Sequence, residues 1–248
     1  MSVLENNSKS IVKWLLSVAG LIFLIVVVGG LTRLTDSGLS MVDWQPIMGI
    51  LPPITFDQWK QLFFDYKQYP EFQKLNASMT LSEFKFIFFW EYIHRILGRI
   101  IGLALIIPFL YFSYKKYLTP YLKKRSIVMI ILVIIQGLMG WYMVQSGLVD
   151  RPDVSHFRLA SHLILAFILL QYILWTVYML IFNKKTKSHS GYKAIIGLVG
   201  LVILQIVYGA FVSGLDAGRI YQTWPTMGAN FLPNDYSFIS FHSLFELN

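Results

Sequence analysis

Apolar residues fall into five long blocks along the chain, at residues 11–31, 86–114, 127–144, 157–182 and 194–213. Each holds roughly the 18 or more residues that a helix needs to cross a hydrocarbon core of about 30 Å. The pattern predicts five transmembrane helices, the second with a proline, Pro108, that can kink it. Residues 32–85 form a long polar connection rich in Pro, Trp and Tyr. Within it, residues 57–69 set Trp59, Leu62, Phe63 and Tyr66 on one helical face, as in an amphipathic helix on a membrane surface. Residues 214–248 are polar and irregular, and no sixth span is expected in them.

Composition agrees. The 248 residues are 56% hydrophobic and 14% charged, with mean hydropathy +0.57. Soluble domains carry roughly 25% charged residues, so the expected fold class is all-α, a polytopic membrane protein. The absence of cysteine excludes disulfides, thiolate metal sites, iron–sulfur clusters and cysteine nucleophiles. A net charge of +8 would suit nucleic acid, but the basic residues sit in short loops between the apolar blocks and read as a topology signal. Lys9 and Lys13 at the start, the Lys115–Arg125 loop and the Lys184–Lys193 loop are therefore expected in the cytoplasm. Residues 32–85, 145–156 and the C-terminal tail then lie outside. The polar start runs straight into the first block, with no small-residue cleavage site and no Arg-rich transit sequence.

Candidate chemistry enters with the opening of the second block. Glu91 and His94 are three residues apart and share a helix face, with Arg95 beside them. Ionisable side chains inside a bilayer are expensive and mark functional sites, most often for a metal, a haem or protons. The bland alternative is an interfacial cap, with Glu91 at a helix start and Arg95 snorkelling. His94 lies about 13 Å into its span from the outer side, and His162 about 9 Å into the fourth. Two helices offering one histidine each at a similar depth can supply both axial ligands of a haem. Two unrelated buried histidines bonded to carbonyls would look the same in sequence. His156 lies near the membrane surface on nearly the opposite face from His162, His189 lies in a Lys/Ser-rich inner loop, and His242 lies in the tail with no evident partner. Gly98 and Gly102 continue the His94 side and allow a helix or a flat macrocycle to come close.

The chain also repeats itself. Leu34-Thr35-Asp36-Ser37-Gly38 is followed by Trp44, Pro46, Met48 and Gly49, and Gly214-Leu215-Asp216-Ala217-Gly218 is followed by Trp224, Pro225, Met227 and Gly228. Both copies follow a Gly-rich helix end. Duplicated membrane halves carry sites within or between them. The first copy leads into three further spans, so residues 1–190 are expected to form a complete four-helix bundle with the haem site. Residues 191–248 are expected to open a second bundle, three helices short.

These motifs resemble haem A synthase of the mitochondrial and alphaproteobacterial type. The resemblance rests on Gly29-Gly30-Leu31-Thr32-Arg33-Leu34-Thr35, Ser37-Gly38-Leu39-Ser40-Met41-Val42-Asp43-Trp44, and Glu91-x-x-His94-Arg95-x-x-Gly98-Arg99. It extends to Ser146-Gly147-Leu148-Val149-Asp150-Arg151-Pro152, Arg158-Leu159-Ala160-x-His162-Leu163 and the Gly214–Gly218 run. It implies eight spans in two pseudo-repeated bundles and oxidation of the C8 methyl of haem O to a formyl group. It also implies a haem b cofactor in the second bundle, whose histidines would lie beyond Asn248, so that this chain would be truncated and inactive alone.

Carried over by motif, Glu91 looks like the catalytic carboxylate, and His94 and His162 like the iron ligands of the substrate haem. The carboxylate would accept a proton or stabilise positive charge developing at the methyl carbon. Arg33, Arg95, Arg99, Arg151 and Arg158 are candidates for the haem propionates, since Arg binds carboxylate bidentately. The implied partners are haem O, haem O synthase, an electron acceptor, the lipid bilayer and a second copy of the chain, with no nucleic acid. The implied location is the bacterial inner membrane with the N-terminus cytoplasmic, or alternatively the mitochondrial inner membrane. Two rivals remain: a haem-binding electron carrier without substrate chemistry, and a transporter relaying protons through Glu91 and His94.

Overall fold

The computed structural model of the chain describes residues 3–42, 51–149, 152–182, 192–220, 222–223 and 225–231. The described residues form helices α1 (Val3–Leu34), α2 (Phe56–Tyr66), α3 (Pro70–Lys74), α4 (Leu81–Tyr114), α5 (Pro120–Gln145), α6 (His156–Phe182), α7 (Tyr192–Gly214) and α8 (Ala217–Ile220). Among them α1, α4, α5, α6 and α7 are long and apolar enough to cross a membrane, as the apolar blocks predict.

The helix starts follow from local chemistry. Thr55 and Gln58 form a capping box that opens α2, and Thr80 and Glu83 form another that opens α4. Thr119 caps α5, with Pro120 in the first turn where its missing N–H is harmless. The Thr80 cap starts α4 five residues before the apolar block begins. At 1.5 Å per residue α4 is about 51 Å long, well beyond a hydrocarbon core. Its first turns stand clear as a stalk. The α2 helix ends at Tyr66, earlier than the pattern suggests, and its apolar face packs on this stalk. Phe63 and Tyr66 join Phe84, Ile87 and Phe88, with Trp59 and Leu62 against them. That face is therefore covered by protein. The end of the bundle carrying this layer is called the cap end below.

Helices α1, α4, α5 and α6 pack side by side in that order and close back on α1, while α7 lies against α6. The ring order leaves α4 and α6 on one diagonal. Away from the cap, Leu15, Val18 and Ile22 of α1 meet Ile101 and Leu105 of α4, Met129 of α5, and Leu169 and Ile173 of α6. Trp14 Nε1 donates to the Ala104 carbonyl at 2.8 Å, and Arg125 Nε donates to Thr176 Oγ1 at 2.7 Å, tying the helices together at that end. On α4 the cap cluster stops at Phe88 and the bundle core resumes at Ile101. The interval between these two apolar clusters holds Glu91, His94, Arg95 and Arg99.

The repeat in the sequence is a repeat in the backbone. Asp36 follows α1 at φ 49° and Asp216 follows α7 at φ 50°. In both turns the Asp N–H donates to the carbonyl three residues back, from Asp36 to Arg33 at 3.2 Å and from Asp216 to Ser213 at 3.3 Å. Left-handed backbone suits Asp better than most residues with a Cβ, because its short side chain bonds locally.

Candidate functional site

Glu91 is 3% exposed and its carboxylate is fully engaged. Oε2 accepts from Ser40 Oγ at 2.7 Å and from the Met41 N–H at 2.8 Å. Oε1 accepts from Arg95 Nε at 3.1 Å and Nη2 at 2.6 Å. Arg95 Nη2 also donates to the Met41 carbonyl at 2.7 Å. An ionised carboxylate offers about four lone-pair sites, and all four are used. The pair thus latches residues 40 and 41, from the connection after α1, onto the cap-side half of α4.

One turn further along α4, His94 enters the bundle against Gly29 of α1. A Cβ at residue 29 would come within 3.2 Å of His94 Nε2. The arrangement recurs on the other side, where a Cβ at Gly140 of α5 would come within 3.1 Å of His162 Cε1. Each imidazole therefore occupies space that a glycine on the neighbouring helix leaves open. Their helices lie on the diagonal of the ring. The Gln136 amide nitrogen donates to the His162 carbonyl at 3.0 Å and lies 3.3 Å from both ring nitrogens.

Arg33 Nε, Trp90 Nε1 and Gln136 Oε1 are among the polar atoms near this interval that are buried without a hydrogen-bond partner among the described residues. Arg33 is one turn beyond Gly29 on α1, and Trp90 is one turn before His94 on the antiparallel α4. Both therefore lie on the cap side of His94. Thr32 Oγ1, 3.4 Å from the Trp90 carbonyl, confirms the alignment. The sequence pattern did not single out Ser40, Trp90 or Gln136 as site residues. A lone glutamine within a span is a signal of the same kind as a lone histidine.

The arginines divide. The Nη atoms of Arg33 bind Asp36 at 2.8 Å, Asp216 at 2.9 Å and the Ser213 carbonyl at 2.7 Å. Arg219 crosses back to Asp36 at 3.0 Å. Asp153 stands in the field of this cluster; burial raises its carboxyl while Arg33 pulls it down. Arg95 is taken by Glu91. Arg158 lies over the Tyr142 ring, 3.8 Å from its centroid, and donates to the Tyr142 carbonyl at 2.9 Å. Arg99 lies in the interval between the clusters. Arg151, His189 and His242 lie outside the described residues. His156 packs between Phe157 and Phe211, with ring centroids 4.3 and 5.2 Å away. A Cβ at Gly214 would come within 2.8 Å of His156 Cβ, so that glycine lets α7 close on α6. Among the described residues no group of three or more His, Cys, Asp or Glu could hold a metal ion.

Residues 12–248 match the family described as COX15-CtaA, cytochrome oxidase assembly protein. A haem A synthase of Flavobacterium psychrophilum is 49% identical over 225 residues, covering 90% of this chain and 66% of that protein. That of Parvibaculum lavamentivorans is 45% identical, covering 98% of this chain and 71% of that protein. That of Flavobacterium johnsoniae is 45% identical, with 98% and 72% covered. The chain thus spans about two thirds of the length of the curated relatives it matches. No solved structure matches it.

Proposed function

The chain belongs to the haem A synthase, COX15-CtaA, family, and on that premise we propose that the interval between its two apolar clusters binds haem O and serves oxidation of the C8 methyl to a formyl group. The observation that carries this reading is the placing of His94 and His162 on diagonal helices, each in space left by a glycine of the neighbouring helix, with Glu91 one turn from His94. The haem supplies the redox chemistry that side chains lack. His94 and His162 hold the substrate's iron and fix the plane of the ring. Arg33 Nε and Trp90 Nε1, buried donors on the cap side of His94, suit a propionate carboxylate; Arg99, Arg151 and Arg158 remain candidates for the same task.

Glu91 is the proposed catalytic carboxylate. Its four hydrogen bonds favour one of its two conceivable roles. Accepting a proton would require it to release a donor, whereas a fixed anion can stabilise positive charge at the methyl carbon without rearrangement. Those same bonds favour a second reading, in which Glu91 is purely the latch for residues 40 and 41 and the protein carries electrons through an unchanged haem.

Residues 1–190 are the proposed substrate-haem bundle, and residues 191–248 the proposed opening of a second. The haem b site does not fit the described residues: beyond His94 and His162 the only described histidine is His156, which is packed between phenylalanines. The proposed location of the multi-pass chain is the bacterial inner membrane, with its N-terminus cytoplasmic. Haem O synthase, an electron acceptor and a second copy of the chain are its proposed partners.

The test is pigment analysis. The chain is expressed in cells that make haem O but lack their own haem A synthase, purified, and its haem extracted. Haem O or haem A recovered with the protein supports the reading. Haem b alone favours the electron carrier, and protein without haem overturns both.

A further inference from the structure

We propose that Gln136 is the positioning residue of His162, its carboxamide holding the imidazole by accepting the proton of the ring nitrogen that the iron leaves free. The proposal rests on the haem reading above and names a residue which that reading does not use.

Gln136 and Gly140 are one turn apart on α5, and both meet the same edge of the His162 ring. The glycine leaves the space and the glutamine fills the polar part of it. One N–H of the amide is committed to the His162 carbonyl at 3.0 Å, which fixes the carboxamide to α6. The same nitrogen stands 3.3 Å from each ring nitrogen. A neutral imidazole has one donor nitrogen and one acceptor nitrogen. Once the acceptor is given to iron, the other nitrogen carries a proton that needs an acceptor in a buried setting. Gln136 Oε1 is such an acceptor, buried and without a donor. A turn about the last, soft side-chain torsion brings it to where the amide nitrogen stands, exchanging the bond to the His162 carbonyl for one from the ring N–H. A carbonyl oxygen left unpaired inside a bundle is costly, so the ring N–H offsets the bond given up. Metal-bound histidines are generally held in this way by a hydrogen bond from the nitrogen that does not bind the metal.

The experiment uses the full chain in detergent, titrated with ferric protoporphyrin IX, with His162→Ala as control and Gln136→Leu and Gln136→Glu as probes. The unaltered chain should give a six-coordinate low-spin spectrum that His162→Ala abolishes. Gln136→Leu removes the acceptor at similar volume. It should weaken binding roughly 10- to 100-fold and raise the reduction potential of the bound iron. Gln136→Glu keeps an acceptor and makes it stronger, so it should retain binding and lower the potential. Both variants matching the unaltered chain in affinity and potential would overturn the proposal while leaving the haem site standing. An unaltered chain that gives no low-spin spectrum, or one that His162→Ala leaves intact, would overturn the haem reading and this inference with it.

Discussion

Arg95 reaches Glu91 one turn back along the same helix, its Nη2 2.6 Å from Oε1, while the same nitrogen holds the Met41 carbonyl. One guanidinium thus serves both the proposed catalytic carboxylate and the segment that covers it. Removing Glu91 would leave a buried cation, and breaking such a pair costs about 3–5 kcal/mol.

Glu91→Gln separates charge from scaffold. The amide can still accept from Ser40 or Met41 but no longer balances Arg95. Placed in a haem A synthase that spans the family's full length, the substitution is expected to leave insertion, haem binding and the iron spectrum unchanged, but to stop haem A formation in a background that supplies haem O. Extracted haems decide it, and a normal haem A yield would remove Glu91 from the chemistry.

His94→Ala and His162→Ala should change the same absorption bands in the same way. The double variant should add little to either, because one site is lost whichever ligand goes first. Additive spectral losses would mean two separate sites.

Gly29→Ala and Gly140→Ala press a methyl to within 3.2 Å of His94 Nε2 and 3.1 Å of His162 Cε1. Alanine is the better helix former by about 1 kcal/mol, so neither change should weaken the helices. Both should lower haem affinity by displacing an imidazole. Gly20→Ala, with nothing within 4 Å of the new Cβ, is the matched control and should leave a haem titration unchanged.

The cap layer should soften as pH rises. Glu71 is 5% exposed and accepts from the Tyr66 hydroxyl at 2.8 Å. Burial pushes its carboxyl from 4.5 up to about 8; the Tyr66 hydrogen bond opposes the rise and the charge of Glu91 adds to it. Between about 4.5 and 8 the unfolded chain has released this proton and the folded cap still holds it. Stability therefore falls with pH across that window and levels off above it. Thermal unfolding followed by near-ultraviolet circular dichroism should show the slope, and Glu71→Gln should flatten it.

The five spans were legible because a bilayer demands long apolar runs whatever their neighbours are. The stalk of α4 was harder to see: Leu81–Phe86 alternates polar and aromatic residues, and its signal is the Thr80–Glu83 capping box rather than hydropathy. The face of α2 was read correctly as apolar, but its period cannot distinguish lipid from the Phe84–Phe88 ridge that covers it. Glu91, His94 and His162 stood out by type. Their surroundings did not, because Ser40 lies 51 residues from Glu91 and Gln136 lies 26 from His162. The Arg33 side chain could not be assigned from its own stretch, since Ser213, one of its partners, lies 180 residues away. The repeat located both turns, but not the exchange of arginines between them.

That exchange sets a schedule for biosynthesis. Arg33 closes on Asp216, and Arg219 closes on Asp36, across 183 residues of chain. At ribosomal speeds of about 5–20 residues per second, the first turn is made roughly 10–40 s before its counterpart. Throughout that interval Asp36 is the one of its two aspartate ion-pair partners that Arg33 can reach. The cross-link between the two turns is thus fastened only once the chain has grown past Arg219.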